Sequence, residues 1–377
     1  MPPRILMIAG EASGDMHGAG VVRELKRRDG GIEVYGIGGD TMRAAGMEII
    51  YHIAGLSFMG FLEVVRNLRS VRRVEKTMEA ILQSRRPDVV VLIDYPGFNL
   101  RFARRAKAHG IPVLYYISPQ VWAWHRSRVK RMKGVVDRMK VVFPFEVDLY
   151  RQEGIDVEFV GHPLAERIGS SVSRAEFCRA HGFREDGRIV GLFPGSREQE
   201  IRNIFPVMIR TAANLVRDPG VQVGVGVAAN LGPAILRKYL RADAPVTLVE
   251  HATYDLMCHA DAAIVTSGTA TLETGWFGTP MAVVYRTSAA TFFIGKLLVK
   301  VPWIGLVNIV AGKKVVPEFV QHDLTADRLG EAMRRILGDH DFAQNMKAEL
   351  STIKEKLGGP GASSRVADGI LQLARAA

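Results

Sequence analysis

Residues 4–20 read RILMIAGEASGDMHGAG. The run Ile5–Ala9 has no polar face, which is the pattern of a parallel strand covered on both sides. It ends in a stretch with glycines at 10, 14, 18 and 20, where backbone N–H groups can approach a ligand at a helix start. Similar runs follow at IEVYGIGG (32–39), DVVVLID (88–94), IPVLYYIS (111–118), MKVVFPF (139–145) and VEFVGHP (157–163). Amphipathic segments between them, such as 18–29 and 98–109, predict helices. After a polar pause at 165–187 the alternation restarts at RIVGLFPG (188–195). It continues through VQVGVGVA (221–228), VTLVE (246–250), AAIVTSG (262–268) and MAVVYR (281–286). The pattern predicts an α/β chain with two Rossmann-like doubly wound domains facing a cleft. The expected divisions are 1–165, 166–325 and a helical segment, 326–377, that returns to the first domain.

With 377 residues, each domain can bury a sizeable core. No signal-peptide pattern opens the chain, and no uncharged apolar run reaches the ~18 residues of a spanning helix. Cys178 and Cys258 are isolated, which fits a reducing compartment and argues against a disulfide framework. A cytoplasmic location is the expectation. The net charge of +11 is concentrated: residues 66–140 hold 18 Lys/Arg against five acids, a net +13. A basic face implies nucleic acid, an anionic lipid surface or a phosphorylated substrate, unless it is merely solvated. Within it lies SPQVWAWHRSRVKRMKG (118–134), with Trp122 and Trp124 beside five cations.

Ligands of open α/β sheets bind outside the carboxyl ends of strands, and here those ends are rich in polar residues. AGEASGDMHGAG (9–20) is neither a Walker loop nor a clean dinucleotide fingerprint, but Ser13 and Asp15 favour a site over a plain tight turn. In IDYPGFN (93–99), Asp94 is either a general base facing the cleft or the cap of the next helix. In FPGSREQEI (193–201), Ser196 and Arg197 open a helix. A cation there opposes the helix dipole, and a bound phosphate would explain it. In TSGTATLETGWFGTP (266–280), Ser267, Gly268 and Thr269 begin a helix, and Glu273 could accept hydrogen bonds from ribose hydroxyls. The alternative for Glu273 is a capping box, although its spacing is one residue too long. No His or Asp pattern suggests a metal, and none is expected. The segments 56–76 and 288–312 suit either a membrane surface and acyl chains or a core.

Taken together these motifs resemble GT-B glycosyltransferases and, more narrowly, the lipid-A-disaccharide synthase family. The matching stretches are AGEASGD, LSFMGFLEV (56–64), IDYPGFN, SPQVWAWHRSRVKRM, FPFE (143–146), FVGHPL (159–164), PGSREQEI, SGTATLE and the segment from Asn308 to Gln321. The resemblance implies an inverting transfer from UDP-2,3-diacylglucosamine to 2,3-diacylglucosamine 1-phosphate, without a cofactor. It implies Asp94 as base or acceptor-orienting group, with Arg197 and the 267–269 helix start stabilising the departing UDP. Ser196, Glu273, Asn308 and Gln321 would complete the donor site. Ser13, Gly14, Asp15, Ser118, Gln120, Trp122 and Arg126 would line the acceptor site. It further implies a peripheral enzyme on the inner face of the inner membrane, with room for a homodimer in which the C-terminal segment crosses over. Many relatives carry a second acid where Gly97 stands, so Asp94 is left as the single carboxylate of that motif. Two other readings are a UDP-N-acetylglucosamine 2-epimerase and, less favoured, a nucleic-acid binder. The family reading expects no nucleic acid.

Overall fold

The computed structural model describes residues 2–55, 68–119, 121–122, 127–228, 231–288, 292 and 301–376; of 68–71, 127 and 128 it describes the backbone alone. The chain divides into two compact units, Met1–Glu166 with Leu357–Ala377, and Arg167–Lys356.

The first unit holds seven strands: β1 (Arg4–Ala9), β2 (Glu33–Gly38), β3 (Glu48–His52), β4 (Val89–Ile93), β5 (Val113–Tyr116), β6 (Arg138–Val141) and β7 (Val157–Phe159). They lie in the order β3-β2-β1-β4-β5-β6-β7, and every pairing is parallel. The second unit holds β8 (Arg188–Phe193), β9 (Val221–Gly226), β10 (Thr247–Val249), β11 (Ala262–Thr266), β12 (Met281–Tyr285) and β13 (Glu318–Val320). Their order is β10-β9-β8-β11-β12-β13, again all parallel. Central strands are buried along their length, as β4 and β11 illustrate. That is why their sequences are continuous apolar runs.

Strand order determines where chemistry can gather. The order in which strands are added reverses beside the first strand of each sheet, at β1/β4 and at β8/β11. Ala9 is level with Ile93, and Phe193 with Val265, so the turns that follow emerge side by side.

The first helix, Ala12–Arg28, begins six residues before the expected position. Its glycines serve helix–sheet contact. A Cβ on Gly14 would lie 3.3 Å from Ala9 Cβ, and one on Gly18 would lie 2.8 Å from Met42 and 2.9 Å from Ile93. Close packing here overrides the low helix propensity of glycine. The strands β3 and β13, which the apolar runs did not predict, are short edge strands with mixed exposure.

The domain divisions differ from those expected. The first boundary falls after Glu166, and residues 326–356 belong to the second unit. There they form the helices Ala326–Gly338 and His340–Lys356, which bury Leu329, Met333, Ile336, Met346, Leu350 and Ile353. Only Leu357–Ala377 returns to the first unit. Its helix Ala362–Ala376 is capped by Glu166, which accepts hydrogen bonds from Ser363 N (2.7 Å) and Ser363 Oγ (2.6 Å). It is also tied by Arg28 to Asp368 at 2.5 Å. Among the described residues no helix is long and apolar enough to cross a membrane.

Candidate active site

In the first unit, the turn after β4 is conformationally strained. Asp94 and Tyr95 have φ of 46° and 47°, and Ile117, after the neighbouring β5, has φ of 63°. Left-handed backbone at a β-branched or aromatic residue costs roughly 1–2 kcal/mol, and such strain gathers at functional sites. Buried polar groups hold the turn in place. The Asp94 carbonyl accepts hydrogen bonds from Asn99 Nδ2 (2.7 Å) and Tyr115 Oη (2.6 Å). Asp94 is half-buried. Burial, then the charge of Glu11, pushes its pKa up to about 6, against a pull downward from the Tyr95 N–H.

Glu11 was not singled out in the sequence. It occupies the N-cap of the helix Ala12–Arg28, but its side chain makes no capping hydrogen bond. A second carboxylate therefore faces Asp94 from β1, although Gly97 leaves the β4 motif with one. The only sequence signal is an acid in the turn after β1. It becomes informative once β1 and β4 are known to be neighbours.

The acceptor set expected from sequence is distributed as follows. Ser13 is exposed in the first turn of its helix, and Gly14 is packed against the sheet. Asp15 is buried and receives N–H bonds from Gly39 (2.6 Å), Thr41 (3.0 Å) and Met42 (3.1 Å). Its carboxylate thus starts the helix Asp40–Ala44. Ser118 is buried too: its Oγ donates to the Pro119 carbonyl (2.9 Å) and lies 2.5 Å from Tyr150 Oη. Beneath it, the carboxyl of buried Glu146 is pushed up to about 8, burial being the cause. Trp122 is buried and meets exposed Phe145 edge-to-face at 5.4 Å. Phe145 stacks on Phe143, which reaches His162, and His162 meets His17. This aromatic ledge joins the ends of β1, β5, β6 and β7. Gln120, Arg126, Trp124 and the stretch 56–64 lie outside the described residues.

In the second unit, the turns after β8 and β11 form a polar rim of their own. Gly195 has φ of +105°, and a Cβ there would lie 2.4 Å from Glu200 Oε2. Glu200 has folded back onto the turn. It accepts from Ser196 N (3.1 Å), Arg197 N (3.3 Å) and Arg197 Nη1 (2.9 Å). The N–H groups expected to clamp phosphate are therefore satisfied by an internal carboxylate, while the Arg197 side chain projects outward, 75% exposed.

Ser267 Oγ donates to the Ile304 carbonyl at 2.7 Å. Gly268 (φ 146°) caps the helix Thr269–Trp276 without a side-chain capping bond, so the capping-box alternative for Glu273 does not form. Instead Glu273 Oε1 accepts from Tyr254 Oη at 3.0 Å and lies 3.8 Å from Arg167. Burial pushes the Glu273 carboxyl upward, and Tyr254 and Arg167 pull it back.

Asn308 is fully buried. Its Nδ2 donates to the Val316 carbonyl (3.0 Å) and Glu318 Oε1 (2.8 Å), and its Oδ1 accepts from Val315 N (2.8 Å) and Val316 N (3.0 Å). An amide makes four such bonds at most, so the hydrogen-bonding capacity of Asn308 is used within the unit, where it supports the rim. Gln321, at φ of +52°, exchanges two bonds with the backbone of Thr287 (2.9 and 3.1 Å). It likewise fastens the rim.

The basic window is less cationic than its linear count. Arg101 and Arg105 pair with Glu75, Arg105 also with Glu79, and Lys107 with Asp137. Acids outside the window neutralise more of it: Glu48 and Glu33 face Arg85, Asp156 faces Arg138, and Glu158 faces Lys140. Arg72, Arg73, Lys76 and Arg104 remain exposed. Among the described residues no group of three or more His, Cys, Asp or Glu gathers in a metal-holding arrangement.

Comparison with solved structures gives the class first. The glycotransferase of kitacinnamycin matches with a TM-score of 0.66 at 17% identity, covering 99% of this chain and 99% of that one. The UDP-GlcNAc 2-epimerase from Neisseria meningitidis, bound to UDP-GlcNAc, matches with a TM-score of 0.66 at 12% identity, covering 98% and 100%. Likeness at such identities is one of fold, and the fold is that of GT-B glycosyltransferases and related epimerases.

Sequence supplies the family. The family model described as lipid-A-disaccharide synthetase matches residues 5–366. A lipid-A-disaccharide synthase of Geobacter sulfurreducens is 45% identical over 372 residues, 98% of this chain and 97% of that protein. The chain belongs to the lipid-A-disaccharide synthase family and is a glycosyltransferase of lipid A biosynthesis.

Proposed function

We propose that the first unit takes 2,3-diacylglucosamine 1-phosphate, that the second takes UDP-2,3-diacylglucosamine, and that O6 of the acceptor displaces UDP in one inverting step. Asp94 accepts the proton of the 6-hydroxyl as the new C1–O6 bond forms and the bond from C1 to the diphosphate breaks. The products are the β(1→6) disaccharide 1-phosphate and UDP. Arg197 and the helix start at 267–269 balance the charge of the leaving diphosphate. Glu273 receives the ribose. The aromatic ledge from Trp122 to His17 forms a wall for the acceptor.

One observation carries this reading: a carboxyl with a pKa of about 6 is held in strained backbone at the β1/β4 switch point. Such a group is ionised at pH 7 yet more basic than an ordinary carboxylate, which suits a general base. Exposed Arg72, Arg73, Lys76 and Arg104 support peripheral docking on the anionic inner face of the inner membrane, where both lipid substrates reside. A homodimer is part of the same proposal.

The test is mass-spectrometric product analysis with acylated UDP-glucosamine and its 1-phosphate acceptor. Wild type should form the disaccharide. Asp94→Asn, which tolerates the left-handed backbone, should lose about a hundredfold or more in turnover while still binding UDP. Near-normal turnover in that variant removes Asp94 from the reaction. Epimerised donor without acceptor would establish the epimerase reading instead.

A further inference from the structure

Glu273 is the acid proposed to meet the nucleotide's ribose, yet its carboxylate is already partly engaged. Tyr254 Oη donates to Oε1 at 3.0 Å, and Arg167 Nη2 approaches the same oxygen at 3.8 Å. Oε2 takes no hydrogen bond among the described residues. Tyr254 is half-buried in the helix Thr253–His259, its ring 6.2 Å from that of Phe277. Its hydroxyl is thus delivered by packing. Arg167 is the first residue of the second unit, immediately after Glu166, which caps the helix Ala362–Ala376.

We infer that Tyr254 and Arg167 are positioning residues for Glu273: they fix one carboxylate oxygen and leave the other aimed at a vicinal diol of the ribose kind. The inference rests on the second unit being the donor site. A carboxylate with both oxygens unheld rotates about its last torsion, whereas one pinned by a phenol presents a single oxygen in a fixed direction. The Tyr254 hydrogen bond and the Arg167 charge both pull the carboxyl back against the upward push of burial, and a hydrogen bond from a hydroxyl to a charged acceptor is stronger than one to a neutral group.

The groups that titrate or carry charge near Glu273 come from two elements, Tyr254 from its helix and Arg167 from the chain ahead of β8. The helices Leu306–Ala311 and His340–Lys356 also pack on the helix Thr269–Trp276. Lys354 of the second of these lies over the Trp276 ring. Loss of the Tyr254 hydroxyl removes a group that lowers the Glu273 pKa. In Tyr254→Phe the carboxylate therefore protonates at higher pH, and the acid limb of nucleotide binding moves upward.

The experiment is calorimetric titration of the full chain with UDP and with 2′-deoxy-UDP across pH. Wild type should prefer UDP by about tenfold, the worth of one hydrogen bond to a charged group. In Tyr254→Phe and in Arg167→Gln the preference should fall to about twofold, with affinity for 2′-deoxy-UDP little changed. Arg167→Lys should restore part of it. A merely structural role would weaken both ligands alike and leave the ratio standing. An unchanged ratio and an unmoved acid limb in Tyr254→Phe overturn the inference while the donor-site reading survives. Wild type that binds neither nucleotide overturns both.

Discussion

At Asp94 two costs coincide, a left-handed backbone and a carboxylate partly drawn out of water. The second raises its basicity. Glu11 adds to the second, because a neighbouring negative charge disfavours ionisation. Replacing Glu11 with Gln removes that charge, so the Asp94 pKa falls from about 6 toward the ordinary carboxylate range. The acid limb of kcat/KM, which reports the free enzyme's base, should then move to lower pH. A pH–rate profile of Glu11→Gln with an unmoved limb would mean that the two carboxylates do not interact in the working enzyme. In the sequence Glu11 is one acid in a glycine-rich turn, with nothing to mark it. Asp94 stands out in the sequence because it follows an unbroken apolar run and precedes Pro96.

Among the elements, the rim of the second unit illustrates how motif and contact differ. Asn308 stands in a segment matching the family, but a one-dimensional match does not say which way a side chain points. Here it joins the helix Leu306–Ala311 to the strand β13, and Glu318 continues the network to Ile304 N (3.0 Å) and Gly305 N (2.9 Å). Asn308→Ala would leave buried N–H and C=O groups unpaired, at about 3 kcal/mol in total. The expected result is a lower unfolding midpoint in denaturant, with UDP binding weakened only as the rim loosens. A variant of full stability and much reduced UDP affinity would instead make Asn308 a direct contact. Glu200 teaches the same lesson at the helix Glu198–Leu215. The motif correctly located a polar helix start, but the acid three residues on takes its N–H groups.

For the molecule as a whole, the unexpected feature is how little of the C-terminal segment returns to the first unit. The helix Ala362–Ala376 docks where Gly369 leaves space for Lys140, a lysine with 1% exposure that reaches Glu158 at 2.5 Å. A Cβ at Gly369 would lie 2.5 Å from Lys140 Cε. Gly369→Val should therefore cost about 1–3 kcal/mol through overpacking, seen as a lower melting temperature and faster proteolytic loss of the C-terminus. Unchanged melting would show that the helix docks elsewhere. The sequence by itself determined the class of fold, because strands buried on both faces need continuous apolar runs. It also located the polar strand ends and the family, because both are local patterns. Tertiary structure decided the rest: Glu11 beside Asp94, Tyr254 and Arg167 around Glu273, the hydrogen-bond partners of Asp15 and Asn308, and distant acids neutralising the basic window. Each depends on which strands and helices become neighbours, and that depends on packing between residues far apart in the chain.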